Sequence, residues 1–121
     1  MSLPITHLKG TNFDITPKLE VIIGQKFDSL ERFIGGEENV TCDIELEKLT
    51  GKQSGNIFRT EVNLRVRGKL YRAEATLDQM EKAIDEVRDE LQKELSRSRD
   101  RSKTLIKRGG AVIKNMMRFG R

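Results

Sequence analysis

The chain predicts an α+β fold in the order β-α-β-β-β-α: a four-stranded sheet with two helices packed on one face. Three observations predict it. Residues 77–103 place Leu77, Met80, Ile84, Val87, Leu91 and Leu95 at steps of three or four, which draws one apolar stripe along a long helix. Residues 40–46 and 58–66 alternate apolar and polar side chains, the period of strands with one buried face. Thr16 followed by Pro17 opens a second amphipathic run. Its hydroxyl suits an N-cap, and proline at the first helical position gives up only an N–H that has no partner there.

In order, residues 5–9 form a short strand that Gly10 ends. The helix opened by Thr16-Pro17 runs to Phe33 or Ile34, with Leu19, Ile22, Ile23, Phe27, Leu30, Phe33 and Ile34 on its apolar face and Gly35-Gly36 as its stop. Gly24 lies inside it at a cost of about 1 kcal/mol relative to Ala, and close packing on a neighbour is one reason for it. In the next strand Val40, Cys42, Ile44 and Leu46 point inward. Residues 50–56 (TGKQSGN) form a loop by composition. Phe58, Thr60, Val62, Leu64 and Val66 face inward on the third strand, and Gly68-Lys69 turns the chain tightly. Tyr71, Ala73 and Ala75 face inward on the fourth, where the two alanines leave room for a helix. The first two strands, joined through a helix, are expected as parallel neighbours, and the last three as an antiparallel meander. Asp78 is the expected N-cap of the long helix. Lys82, Glu86, Lys93 and Arg97 lie opposite its stripe.

A chain of 121 residues suffices for one domain. With 36% hydrophobic residues and no Trp, its core must be thin and aliphatic. The expected division is a folded domain over residues 1–103 and a basic tail over 104–121. In the tail, 107–110 (KRGG) reads as a hinge. Residues 111–119 (AVIKNMMRF) read either as an amphipathic contact with RNA, a protein partner or a membrane surface, or as a frayed terminus.

Charge is unevenly spread. Residues 1–87 hold 12 Lys and Arg against 15 Asp and Glu, a net of −3, whereas residues 88–121 hold 11 against 4, a net of +7. A basic third of this kind points to nucleic acid or an anionic membrane rather than a small acidic substrate. Cys42 is the single cysteine, so no intrachain disulfide forms, and a reducing cytosol fits. No apolar run is long enough for a membrane span, and the N-terminus lacks the pattern of a secretory signal. The expected location is the cytoplasm.

The candidate binding residues are Lys93, Arg97, Arg99, Arg101, Lys103, Lys107 and Arg108, with Lys26, Arg32 and Lys82 as additions. Cations in this number suit phosphate contacts along RNA, with affinity that falls steeply as salt rises. The competing reading is a solvated, salt-bridged surface, in which Asp89 and Lys93 pair at i,i+4. Phe13, Phe27, Phe33 and Phe58 read as core, so base stacking on exposed rings is not expected and recognition by backbone and shape fits better. Asp43, Glu45 and Glu47 share the open face of a strand; alternate strand residues stand about 7 Å apart, so pairing with Arg59, Arg65 or Arg67 is expected over a metal site. His7 reads as surface and Cys42 as core. No Gly-rich phosphate loop, HExxH, GxSxG or CxxC occurs, and the residues give an enzyme almost no support. No metal site or small-molecule substrate is expected.

Two frames in this sequence resemble the ribosome hibernation promoting factor, or protein Y, family of ribosome-associated translation inhibitors. ITHLKGTNFDITPKLEVIIGQKFDSLERFI resembles the family's opening strand and helix. Gln79-Met80-Glu81-Lys82-Ala83-Ile84-Asp85, with Leu91 and Leu95 following, resembles the start of its second helix. The resemblance covers residues 5–101. Gln79 and Glu81 stand where Asp and Tyr are usual, and Glu90 where a Lys is usual; Lys93 and Arg97 match basic positions. The resemblance implies a dsRBD-like domain that binds the RNA of the small ribosomal subunit at the decoding channel and blocks messenger RNA and tRNA. It implies idling of ribosomes in stress or stationary phase, without cofactor or catalysis. It also implies a short form that lacks the long form's dimerising domain. The alternative from the residues themselves is a protein-interaction module built on the long helix and the tail.

Overall fold

The structure, a computed structural model, describes residues 5–35, 39–51 and 54–107, with side chains through 98. Its elements are β1 (His7–Thr11), α1 (Pro17–Asp28), α2 (Glu31–Ile34), β2 (Val40–Lys48), β3 (Phe58–Val66), β4 (Lys69–Leu77) and α3 (Met80–Lys107). They form an α+β fold in which a four-stranded mixed sheet of order β1-β2-β3-β4 carries the helices on one face. β1 runs parallel to β2, and β2, β3 and β4 form an antiparallel meander.

The alternation in the sequence sets the two faces. Cys42, Ile44 and Leu46 of β2 and Val62 and Leu64 of β3 are buried, and they pack against Ile23, Phe27, Leu30 and Ile34 and against Ile84, Val87 and Leu91 of α3. Ala73 on β4 is also buried beneath the helical layer. Thr60, a polar residue on the buried face, directs its hydroxyl to Met80 Sδ at 3.4 Å. Burial, with the neighbouring Asp43 charge adding to it, pushes the Cys42 thiol up to about 12. It is therefore a packing group, not a nucleophile.

The first helix is two helices. Thr16 caps α1 as expected, its Oγ1 accepting from the Leu19 N–H at 3.1 Å. The chain then tightens at Ser29-Leu30, where Leu30 N–H bonds to Phe27 O and Phe33 N–H to Leu30 O, both at 3.0 Å. Gly35, at φ 69°, ends α2 in the left-handed conformation that favours glycine. Gly36 lies outside the described residues.

Four further boundaries move. β1 spans His7–Thr11, so Gly10 lies within the strand rather than ending it. A Cβ at Gly10 would stand 2.2 Å from Phe13 O, and glycine alone fits that approach. Gly24 meets no close neighbour: a Cβ there has nothing within 4 Å. The β3–β4 turn is Arg67-Gly68, with φ 52° and 79°, flanked by the pair Val66 and Lys69. Leu77 belongs to β4. Asp78 does not cap α3; its carboxylate takes Lys82 at 3.2 Å, and Gln79 O accepts the Ala83 N–H. The hinge at 107–110 falls outside the described residues beyond Lys107, as do Arg108 and the segment 111–119.

Candidate nucleic-acid interface

α3 supplies the candidate surface because it is far longer than the strands beneath it. Twenty-eight residues extend about 42 Å at 1.5 Å each, against about 30 Å for a nine-residue strand. Met80, Ala83, Ile84, Val87, Leu91 and Leu95 are buried. Tyr71 Oη, which donates to Ser98 Oγ at 3.2 Å, makes the last described contact between sheet and helix.

Cations along α3 differ in how they are neutralised. In the first turn Lys82 pairs with Asp78. Lys26, from α1, meets Asp85 at 2.5 Å and its side chain is 25% exposed. Arg88 takes Asp89 at 2.8 Å. That removes the carboxylate expected to pair with Lys93, and among the described residues no carboxylate lies within ion-pair distance of Lys93. Arg97 pairs with Glu94 at 3.0 Å, both partly exposed. Arg32 lies over the Phe33 ring at 4.7 Å.

The structure thus brings Lys93 and Arg97 to exposed positions one turn apart, with Arg101 at the next step of four along the helix. Arg99, Lys103 and Lys107 also lie on α3, where only the backbone is described, and Arg108 lies outside it. Lys82 sits at the far end of α3 from Arg97, about 22 Å away at 1.5 Å per residue. Lys26 is held at the α1–α3 seam. Two cations were not among the sequence candidates: Arg67 and Lys69, on either side of Gly68, lie close to α3 near Ser98. The R-G-K triplet was the available signal, and in the sequence it reads simply as a turn.

On the open face of the sheet arginines and glutamates pair with one another. Arg59 lies 2.6 Å from Glu61, 3.1 Å from Glu47 and 3.6 Å from Glu45, and its Nε donates to Glu74. Arg72 also bonds Glu61, at 2.6 Å. Burial acts to raise the Glu61 carboxyl, but the hydrogen bonds from Arg72 and Arg59 outweigh it and hold the group below the usual carboxylate range. Thr11 donates to Glu45 at 2.6 Å, and His7 meets Asp43 at 2.8 Å. The glutamates answer arginines and Asp43 answers His7, and no group of three metal-ligating side chains is found among the described residues. Phe27 and Phe33 are core. Phe13 and Phe58 are half-buried and meet edge to face at 6.3 Å. No helix among the described residues is long and apolar enough to cross a membrane.

The described residues thus form a small α+β domain with arginine–glutamate pairs on the open sheet face and a long helix on which Lys93 is exposed. The family described as Sigma 54 modulation protein / S30EA ribosomal protein matches residues 6–103, and the chain belongs to that family. The ribosome hibernation promoting factor of Klebsiella oxytoca is 32% identical over 97 residues, covering 80% of this chain and 95% of that protein. The ribosome hibernation promotion factor of Mycobacterium tuberculosis is 31% identical over 96 residues, covering 78% of this chain but 43% of that longer protein. Among solved structures, the protein Y N-terminal domain of Thermus thermophilus is similar with a TM-score of 0.68 and 26% identity, over 78% of this chain and 98% of that domain. A ribosomal subunit interface protein from Coxiella burnetii shares the fold, with a TM-score of 0.62 and 21% identity over 80% of this chain and 99% of that one.

Proposed function

We propose that this protein is a non-enzymatic ribosome hibernation factor of the cytoplasm. It binds RNA of the small ribosomal subunit at the decoding channel, through the C-terminal half of α3, and blocks messenger RNA and tRNA. Family membership and the names of the Klebsiella and Mycobacterium relatives support the hibernation role. The observation that carries the RNA-binding surface is the exposed Lys93: along α3 Lys82 is answered by Asp78, Arg88 by Asp89 and Arg97 by Glu94, whereas Lys93 has no carboxylate partner among the described residues.

The test is co-sedimentation of the purified protein with small subunits across a salt series. Each phosphate neutralised contributes a slope of about −0.7 to −0.9 in log affinity against log salt. Charge reversal at Lys93, Arg97 and Arg101 together should abolish co-sedimentation at moderate salt and relieve inhibition of cell-free translation. Unchanged co-sedimentation of the triple variant would remove α3 as the binding surface.

A further inference from the structure

β4 (Lys69–Leu77) is the last strand of the sheet, and among the described residues no strand pairs with its outer edge. It pairs with β3 residue for residue from Lys69 to Leu77, with neither bulge nor proline to blunt it. A straight edge of this length is a template for another strand. We propose that β4 pairs antiparallel with β4 of a second copy of this chain, about a two-fold axis at Ala73, and so joins the two sheets into one. The inference goes beyond the ribosome-binding reading and does not depend on it.

Hydrogen-bond parity allows this axis. The two-residue turn Arg67-Gly68, with positive φ at both positions, makes Val66 and Lys69 the first hydrogen-bonded pair of the hairpin. Bonded and non-bonded pairs alternate along an antiparallel ladder. Lys69, Tyr71, Ala73, Ala75 and Leu77 therefore direct their backbone groups to β3, and Leu70, Arg72, Glu74 and Thr76 turn theirs outward. An axis at Ala73 sets Arg72 opposite Glu74 of the second copy, and Leu70 opposite its Thr76. Each outward N–H and C=O then meets another that also faces outward, and the same contacts recur on both sides of the axis, as two-fold symmetry requires.

Charge selects this register over its neighbours. An axis moved by one residue, to Arg72 or to Glu74, would set arginine against arginine or glutamate against glutamate, and like charges directly opposite are destabilising. Centred on Ala73, both cross-strand pairs are opposite in sign. Arg72 and Glu74 have partners within the chain: Glu61 lies 2.6 Å from Arg72, and Arg59 donates to Glu74. They still keep 55% and 41% of their side chains exposed. A guanidinium with five N–H donors and a carboxylate with two oxygens can each serve a further partner without giving up the first. Charges of one sign along an edge would repel a second copy, whereas these alternate about Ala73. On the helix face the axis falls between two alanines, so only small groups stand at the closest approach. Leu70, an exposed large apolar side chain, gains cover from Thr76 of the second copy.

The experiment measures the mass of the full chain by sedimentation velocity, without ribosomes, across a concentration series into the millimolar range. The samples are wild type, R72E, E74R and an equimolar mixture of the two variants, with thermal melts to verify that both fold. Wild type should form a concentration-dependent dimer. R72E opposes acid to acid across its own axis and E74R opposes base to base, so each alone should weaken the dimer about tenfold. In the mixture the two altered edges complement each other, and a heterodimer should recover the lost affinity. Wild type that stays monomeric throughout would overturn the proposal. Undiminished dimers of the single variants, or a mixture no stronger than either variant alone, would overturn the axis at Ala73. Should either variant fail to fold, amide hydrogen exchange of wild type decides. The amides of Leu70, Arg72, Glu74 and Thr76 should exchange more slowly in concentrated than in dilute protein, and unchanged exchange would remove β4 as the interface.

Discussion

Lys26 Nζ stands 2.5 Å from Asp85 Oδ1, tying α1 to the second turn of α3 across 59 residues of sequence. The pair closes the seam between the two helices, and it consumes a cation that would otherwise add to the basic surface. Both side chains keep some water, at 25% and 43% exposure, so the pair contributes modestly. K26M and D85N should each destabilise the protein by about 0.5–1 kcal/mol, with a coupling energy of about 0.5 kcal/mol that shrinks in high salt. Urea unfolding of the two single variants and the double variant measures this. A coupling near zero at low salt would show that the contact adds nothing to stability.

Two glycines should respond in opposite directions to the same substitution. Gly24 lies in α1 with open space where a Cβ would go. G24A should therefore raise stability by about 0.5–1 kcal/mol, because Ala favours the helix and restricts the unfolded chain. Gly10 lies where a Cβ would press on Phe13 O, so G10A should lower stability by about 1–3 kcal/mol. Thermal melts of the two variants decide it.

Much of the architecture was legible because each element carries a single period. The strands kept theirs so cleanly that sheet order, inward residues and the parallel first pair follow from alternation and connection. The break between α1 and α2 was hidden, since Phe27, Leu30, Phe33 and Ile34 keep their apolar spacing through the tightened turn. Leu77 fits two frames, the strand series Tyr71, Ala73, Ala75 and the helix series Met80, Ile84, and only backbone pairing with Phe58 assigns it to β4. At the site, the basic run was visible in the sequence, but the neutralisation of each cation was not. That depends on which carboxylate arrives from another element, as for Lys26, or on which neighbour claims it, as Arg88 claims Asp89. Arg67 and Lys69 were missed because their closeness to Ser98 is tertiary.

Glu61 makes the open sheet face sensitive to acid. Its folded pKa lies below the unfolded value because Arg72 and Arg59 hydrogen-bond to the charged form more strongly than burial opposes it. A depressed carboxyl adds stability above its unfolded pKa of about 4.3, and that contribution is lost as pH falls through the lower folded value. Its side chain is 15% exposed, so the hydrogen bonds are largely shielded. E61Q should cost about 1–2 kcal/mol at pH 7. The gap from wild type should narrow as pH drops below about 4.3, when the wild-type carboxyl also loses its charge. Denaturant unfolding at pH 7 and at several acidic values measures both; a gap that stays constant would assign the cost to packing rather than charge.

Position along α3 should decide how much each lysine matters for binding. Lys82 and Lys93 are both exposed on the same helix, but Lys82 is answered by Asp78 at 3.2 Å and Lys93 by no described carboxylate. A paired lysine must leave its partner to reach a phosphate, and its departure leaves the acid facing the polyanion. K93Q should therefore weaken binding to small subunits several-fold and lower the salt slope by about one, while K82Q should change either quantity far less. D78N offers the converse check: with the acid removed, Lys82 should gain in the salt slope if RNA passes near the start of α3, and should not if contact is confined to the C-terminal half. Equal losses in K82Q and K93Q would mean that the whole length of α3 lies against RNA, and the surface drawn from the charge gradient would have to extend to its first turn.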